Sequence, residues 1–113
     1  MKEIKAIIQP HMVSKVVRAL HELPHFPGLT VFDARGQGRG RGAGGAYKVT
    51  EDSIDYQRKT VLEIVCADEV AASITETIQR AAHTGHAGDG IILVTELPEV
   101  IRIRTGEKQQ HAV

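Results

Sequence analysis

A strand, a helix and a strand follow one another twice in this chain, and 113 residues leave few ways to bury two such units. Met1–Gln9 alternates, with Ile4, Ala6 and Ile8 on one side, until Pro10 ends it. Val13, Val16, Val17 and Leu20 recur at helical spacing, which predicts an amphipathic helix over Met12–Leu23. Pro24, Pro27 and Gly28 break that helix, and Leu29–Ala34, with β-branched Thr30 and Val31, reads as a second strand. The pattern then returns. Thr60–Ala67 is a third strand, and Asp68 is a candidate N-cap. A second helix follows, with Val70, Ala71, Ile74, Ile78, Ala81 and Ala82 on its buried face and Gly85 as its stop. Ile91–Leu97 is a fourth strand, closed by Pro98.

Two such units in one domain spanning residues 1–113 predict a ferredoxin-like α+β fold. In that fold a four-stranded antiparallel sheet carries both helices on one face. The other face has no helix left to cover it, so the expectation is that copies of the chain bury it in a homo-oligomer. With no Trp, two Phe and two Tyr, the core is aliphatic and small, which also favours association.

Charge narrows the function classes. Fourteen basic and fourteen acidic residues balance, which argues against a nucleic-acid binder or a membrane-surface binder. No apolar run approaches the roughly 20 residues that span a bilayer. MKEIKAII leads straight into the first strand without signal-peptide organisation. The one cysteine, Cys66, lies in an apolar run and reads as a small buried residue. A cytoplasmic protein is the expectation.

Two short segments point to a ligand. Thr84–Gly90, TGHAGDG, places three glycines between a helix pattern and a strand pattern, where main-chain N–H groups can turn outward toward an anion. Arg102 and Arg104 lie two apart, on one side of a segment expected to be extended. A cradle and a cationic pair together suit a phosphorylated small molecule. Glu63, mid-strand between Leu62 and Ile64, is open to two readings: a solvent-facing strand residue, or an acceptor beside a ligand.

Other motifs carry less. The connection from Gly36 to Asp55 is about 20 residues long with no core pattern, the length at which loops are usually functional. Its first ten residues, GQGRGRGAGG, hold six glycines. Gly40, Gly42 and Gly45 match a dinucleotide fingerprint only formally, since no apolar helix follows. The Arg-Gly run lacks the aromatics that stack on RNA bases. The six histidines stand at no recognised metal-ligand spacing.

Along nearly its whole length the chain resembles the PII signal-transduction proteins, the trimeric nitrogen-regulatory family. The likeness rests on MKEIKAIIQP at the start, Gly28-Leu-Thr-Val, Gly36-x-Gly38-Arg39, Leu62-Glu63-Ile64-Val65, Thr84-Gly-x-x-Gly-Asp-Gly90 and Val100-Ile-Arg-Ile-Arg-Thr-Gly-Glu107. It implies a homotrimeric, non-enzymatic regulator. ATP or ADP, with AMP as a third candidate, binds in clefts between subunits, and the long connection, the T-loop at about 37–56, docks on a partner protein, a membrane transporter being one candidate. It further implies that Gly38, Arg39, Gly88, Asp89 and Gly90 face the phosphates, that Thr30, Glu63 and Ile64 lie near the adenine, and that Arg102 and Arg104 reach over from the neighbouring subunit.

Departures from the family pattern matter as much. The lysine usual after Gly90 is Ile91, and the lysine usual two residues before Gly88 is His86. Two cations are thus lost or made pH-dependent, which predicts weaker triphosphate binding and a shift toward ADP or AMP. The glutamine that helps hold Mg²⁺ and 2-oxoglutarate is Gly40, which argues against both, although Lys59 stands where a 2-oxoglutarate contact is implied. The tyrosine that many members have uridylylated is absent; Tyr47 lies outside that motif and Asp52 is near its place. The competing readings are a metal-responsive or metal-tolerance regulator on the same trimeric scaffold, as in CutA-like proteins, and a slow ATPase.

Overall fold

A computed structural model of the protein describes residues 1–38 and 56–113. Most of the expected T-loop, including Arg39, Gly40, Tyr47 and Asp52, lies outside the described residues. The order of elements is β1 (Lys2–Ile8), a 3-10 turn (Pro10–Met12), α1 (Val13–His21), β2 (Thr30–Gly36), β3 (Gln57–Cys66), α2 (Asp68–Ala82), β4 (Gly90–Glu96) and a second 3-10 turn (Gln109–Ala112). The strands form one antiparallel sheet in the order β2-β3-β1-β4, so the twice-repeated unit closes into the expected α+β ferredoxin-like arrangement.

Strand alternation divides the sheet. Ile4, Ala6 and Ile8 of β1, paired with Ile64, Leu62 and Thr60 of β3, face the helices. They meet Val16 and Leu20 of α1 and Ala71, Ile74, Ile78, Ala81 and Ala82 of α2 in one aliphatic core. Each fully buried aliphatic side chain there contributes about 1.5–3 kcal/mol. Cys66 belongs to this core, and burial pushes its thiol pKa up, as a small apolar residue requires.

The opposite face carries Ile7, Phe32, Val61, Val65, Ile91 and Leu93, with no helix over them. Phe32, Ile91 and Leu93 are 43%, 55% and 42% exposed. An apolar sheet face this open is the kind that association covers.

The first helix starts later than periodicity predicts, because Pro10 opens a 3-10 turn before the α-helix begins at Val13. Asp68 does not cap α2. Ala67 holds the extended N-cap conformation (φ −67, ψ 153), and Asp68 is the first helical residue. Its carboxylate lies 2.9 Å from the Met1 ammonium and 3.4 Å from Lys2 Nζ. The hydrogen bond from the Met1 amine lowers its pKa, and Lys2 adds to this. Gly85 does not end α2 either; His83 does, in an extended conformation (φ −69, ψ 126).

Candidate functional site

The loop from His83 to Asp89 joins α2 to β4, and its shape is set by one carboxylate. Asp89 accepts hydrogen bonds from the main-chain N–H of Thr84 (2.8 Å) and of Gly85 (3.0 Å), and from the Thr84 hydroxyl. The Thr84 hydroxyl oxygen in turn accepts from the His86 N–H, 3.1 Å away. The sequence argument placed Asp89 among the groups facing phosphate. Its carboxylate turns into the loop, toward Thr84 and Gly85.

Those contacts occupy the amides of residues 84–86. A hydrogen-bonded turn at Ala87–Gly88 follows them, before the chain enters β4 at Gly90.

The same hydrogen bonds, the Thr84 hydroxyl first, hold the Asp89 carboxyl down at about 2. An unfolded aspartate titrates near about 3.9. Asp89 therefore supports the folded loop fully above that value, and its support is lost as pH falls through about 2. Following the Thr84 and Gly85 amide resonances on acidification should give a midpoint near 2. A midpoint near that of an exposed aspartate would mean the carboxylate does not hold the loop.

Lys59 ties this loop to the stem of the long connection. Its Nζ donates to the Gly88 carbonyl at 3.0 Å, and its side-chain stem lies against Gly36, where an added Cβ would sit 3.6 Å from Cγ. Gln57–Lys59 pairs with Ala34–Gly36, so both ends of the T-loop leave the sheet as a ladder and not as loose chain. Gly88 adopts φ +93 with the Gln9 side chain so near that a Cβ would lie 2.9 Å from its Nε2. Lys59, Gln9, Gly36 and Gly88 thus meet at one end of the sheet. Gln9 gave no signal in the sequence, because residues this far apart converge only through the β1–β3 and β1–β4 registers.

Thr30 and Glu63 are directly opposed in the β2–β3 ladder, three residues along β3 from Thr60 or roughly 10 Å. Both lie on the helix-free face. Glu63 faces outward and its Oε1 sits 3.4 Å from Lys5 Nζ, with both side chains about a third exposed (33% and 39%). The sequence reading missed Lys5, although the alternation of β1 puts residues 3, 5 and 7 on that face. Ile64 points the other way and is buried in the core (1% exposed), so it can offer a ligand only its main chain. The ladder ends at Thr30–Glu63, and Ile64–Cys66 continue past β2 as the outer strand at that end. Gly38 is exposed, two residues beyond β2.

Arg102 and Arg104 are not on an extended segment. Gly106 N–H donates to Arg102 O and Arg102 N–H to Glu107 O, both at 2.8 Å, which closes a turn beyond the isolated Ile101–Lys108 bridge. The period-two argument for placing both on one side therefore does not apply. Among the described residues, no hydrogen bond or ion pair joins either arginine to the 84–90 loop. No three His, Cys, Asp or Glu side chains converge as a metal site among the described residues, and no helix there is long and apolar enough to cross a membrane.

Known proteins match the sequence of this chain over its whole length. The family described as nitrogen regulatory protein P-II matches residues 1–107. The P-II protein of Azospirillum brasilense is 45% identical over 113 residues, covering all of both chains. P-II 2 of Methanothermobacter thermautotrophicus is 44% identical over 113 residues, all of this chain and 97% of its own. P-II 1 of Escherichia coli is 41% identical over 113 residues, again all of both. On that likeness the chain belongs to the nitrogen regulatory protein P-II family.

Proposed function

We infer that this chain is the protomer of a homotrimeric, cytoplasmic, non-enzymatic regulator. It binds an adenine nucleotide at clefts between subunits and controls a partner protein through the segment between β2 and β3. The observation that carries the reading is the junction at Lys59. The glycine-rich 84–90 loop and the stem of the T-loop are tied by one side chain, so a phosphate seated on the loop acts on the stem directly. The base lies roughly 13 Å from Lys59 along β3, by Thr30, Glu63 and the main chain of Ile64. Arg102 and Arg104 of a neighbouring copy complete the phosphate site, because their own loop does not engage them. Association over Phe32, Ile91 and Leu93 brings that copy into place.

Among the described residues, the loop's own carboxylate, Asp89, is committed within it and not available as a general base, so nucleotide turnover at the rate of a buffer blank is expected. Lys59 has its ammonium on Gly88 O, and Gly40 stands in place of the family's glutamine, both of which argue against 2-oxoglutarate and its Mg²⁺. The partner is a protein, a membrane transporter being one candidate.

Calorimetry with ATP, ADP and AMP tests the reading. Saturable binding of at least one is expected, with ADP or AMP favoured over ATP. No heat from any of the three at millimolar concentration removes it. Light scattering should give the mass of three chains. Ile91 supplies a second test. It stands 55% exposed directly after Gly90, at the position of a family lysine. Ile91→Lys should tighten ATP about tenfold relative to AMP, the worth of one charge-assisted contact. An unchanged ATP-to-AMP ratio would show that residue 91 does not meet the phosphates.

A further inference from the structure

Residues 98–112 form a small unit of their own, and one side chain organises it. Beyond the Ile101–Lys108 bridge the chain enters the 3-10 turn Gln109–Ala112. Gln109 takes φ +58, the left-handed region that a residue with a side chain seldom adopts. Its N–H donates to Val100 O at 2.8 Å. Its side-chain Oε1 accepts from the Val100 N–H at 3.0 Å, and its Nε2 donates to Pro98 O at 3.2 Å. The amide group thus pairs with the 98–100 segment as a strand's peptide would. Only Asn and Gln can accept and donate in this way, and Asn is a methylene shorter. At the far end of the same turn, Ala112 O accepts from Arg102 Nε at 3.1 Å.

We propose that Gln109 is a positioning residue for the anion-binding arginine: it pins the 3-10 turn whose Ala112 carbonyl holds Arg102 by Nε. Arg102 is thereby half-buried and fixed at its neck, while its two terminal nitrogens stay in their planar fork for a phosphorylated ligand. Holding a long side chain in advance lowers the ordering cost of binding. This rests on the reading of Arg102 as a phosphate contact. The role belongs to this chain's own C-terminal residues and not to the arginine motif.

Two measurements test it separately. In ¹⁵N-labelled protein without ligand, solvent exchange of the Arg102 Nε proton should be slow, and about fivefold faster in Gln109→Ala, as for one lost neutral hydrogen bond. Gln109→Glu keeps the acceptor but loses the donor and should exchange faster than the parent. Gln109→Gly relieves φ +58 yet loses the amide, and should behave as Gln109→Ala does; parent-like exchange there would place the effect in the backbone and overturn the proposal. In ADP titrations Gln109→Ala should weaken binding about fivefold, but leave it unchanged in an Arg102→Ala background. Equal weakening in both backgrounds would mean a general structural role and would overturn the positioning role. If the parent binds no nucleotide, the nucleotide reading fails, while the exchange measurement still decides whether Gln109 holds Arg102.

Discussion

Gly90→Ala should destabilise the fold by roughly 3–5 kcal/mol, a large part of the stability of a small domain. Gly90 has φ +110, and a Cβ built there would lie 1.8 Å from Ile7 O, 2.9 Å from Ile7 C and 3.3 Å from Ile8 Cα. The obstacle is main chain of an inner strand, not a side chain that can swing away. Ile8 pairs with both Gly90 and Thr60, so β1 cannot retreat without opening the ladder on its other side. Overpacking of this kind costs about 1–3 kcal/mol and the strained φ a similar amount. Gly28→Ala isolates the second contribution, since Gly28 has φ +103 and nothing within 4 Å of the added carbon. Gly88→Ala should fall between the two, because its nearest neighbour is the movable Gln9 amide at 2.9 Å. Urea unfolding of the three variants at one protein concentration should rank them Gly90, Gly88, Gly28. A Gly90 variant as mild as the Gly28 one would mean that the close approach of loop and strand does not exist.

What could be read from the residues alone follows the range of the forces involved. The face of β1 was legible, because Ile4, Ala6 and Ile8 alternate and burial obeys that alternation. The start of β3 was not. Gln57–Lys59 is polar and becomes strand only because Ala34–Gly36 pairs with it. Asp68 looked like a cap for the same local reason that misplaced it. Its actual partner, the Met1 ammonium, lies far from it in the sequence. Arg102 and Arg104 seemed to share a side because an apolar Ile101 and Ile103 flank and separate them as in a strand. Ile103 is instead fully exposed (100%) on a turn closed at Gly106, φ +74. Thr105-Gly106 carries that turn chemistry, and giving it more weight than the alternation would have found the turn. In the site, the glycines at 85, 88 and 90 pointed to the loop, but which groups the loop uses up on itself depends on where the Asp89 carboxylate goes.

Arg102→Ala combined with Arg104→Ala should weaken nucleotide binding more than a hundredfold, since each charge-assisted contact to phosphate contributes about 1.5–3 kcal/mol. Folding should be little affected: Arg104 is exposed, and among the described residues the Arg102 side chain is bound through Nε to the Ala112 carbonyl. Loss of binding alone does not say which subunit supplies the pair. The geometry does make a distinct claim, because within one chain neither arginine engages the 84–90 loop. Asp89→Ala should abolish binding by a separate route, freeing Thr84 and Gly85 and letting the loop collapse. Co-expressing the arginine-deficient and loop-deficient chains then separates the alternatives. If the arginines act across the seam, some clefts of a mixed trimer join an intact loop from one chain to intact arginines from another, and binding returns at a fraction of the sites with near-parental affinity. If each chain supplies its own pair, no mixture contains an intact site, and titration of the mixed trimers stays flat. A flat titration would leave the loop as the anion site but place its arginine partners within the same subunit, and the requirement for a trimer in nucleotide binding would go with it.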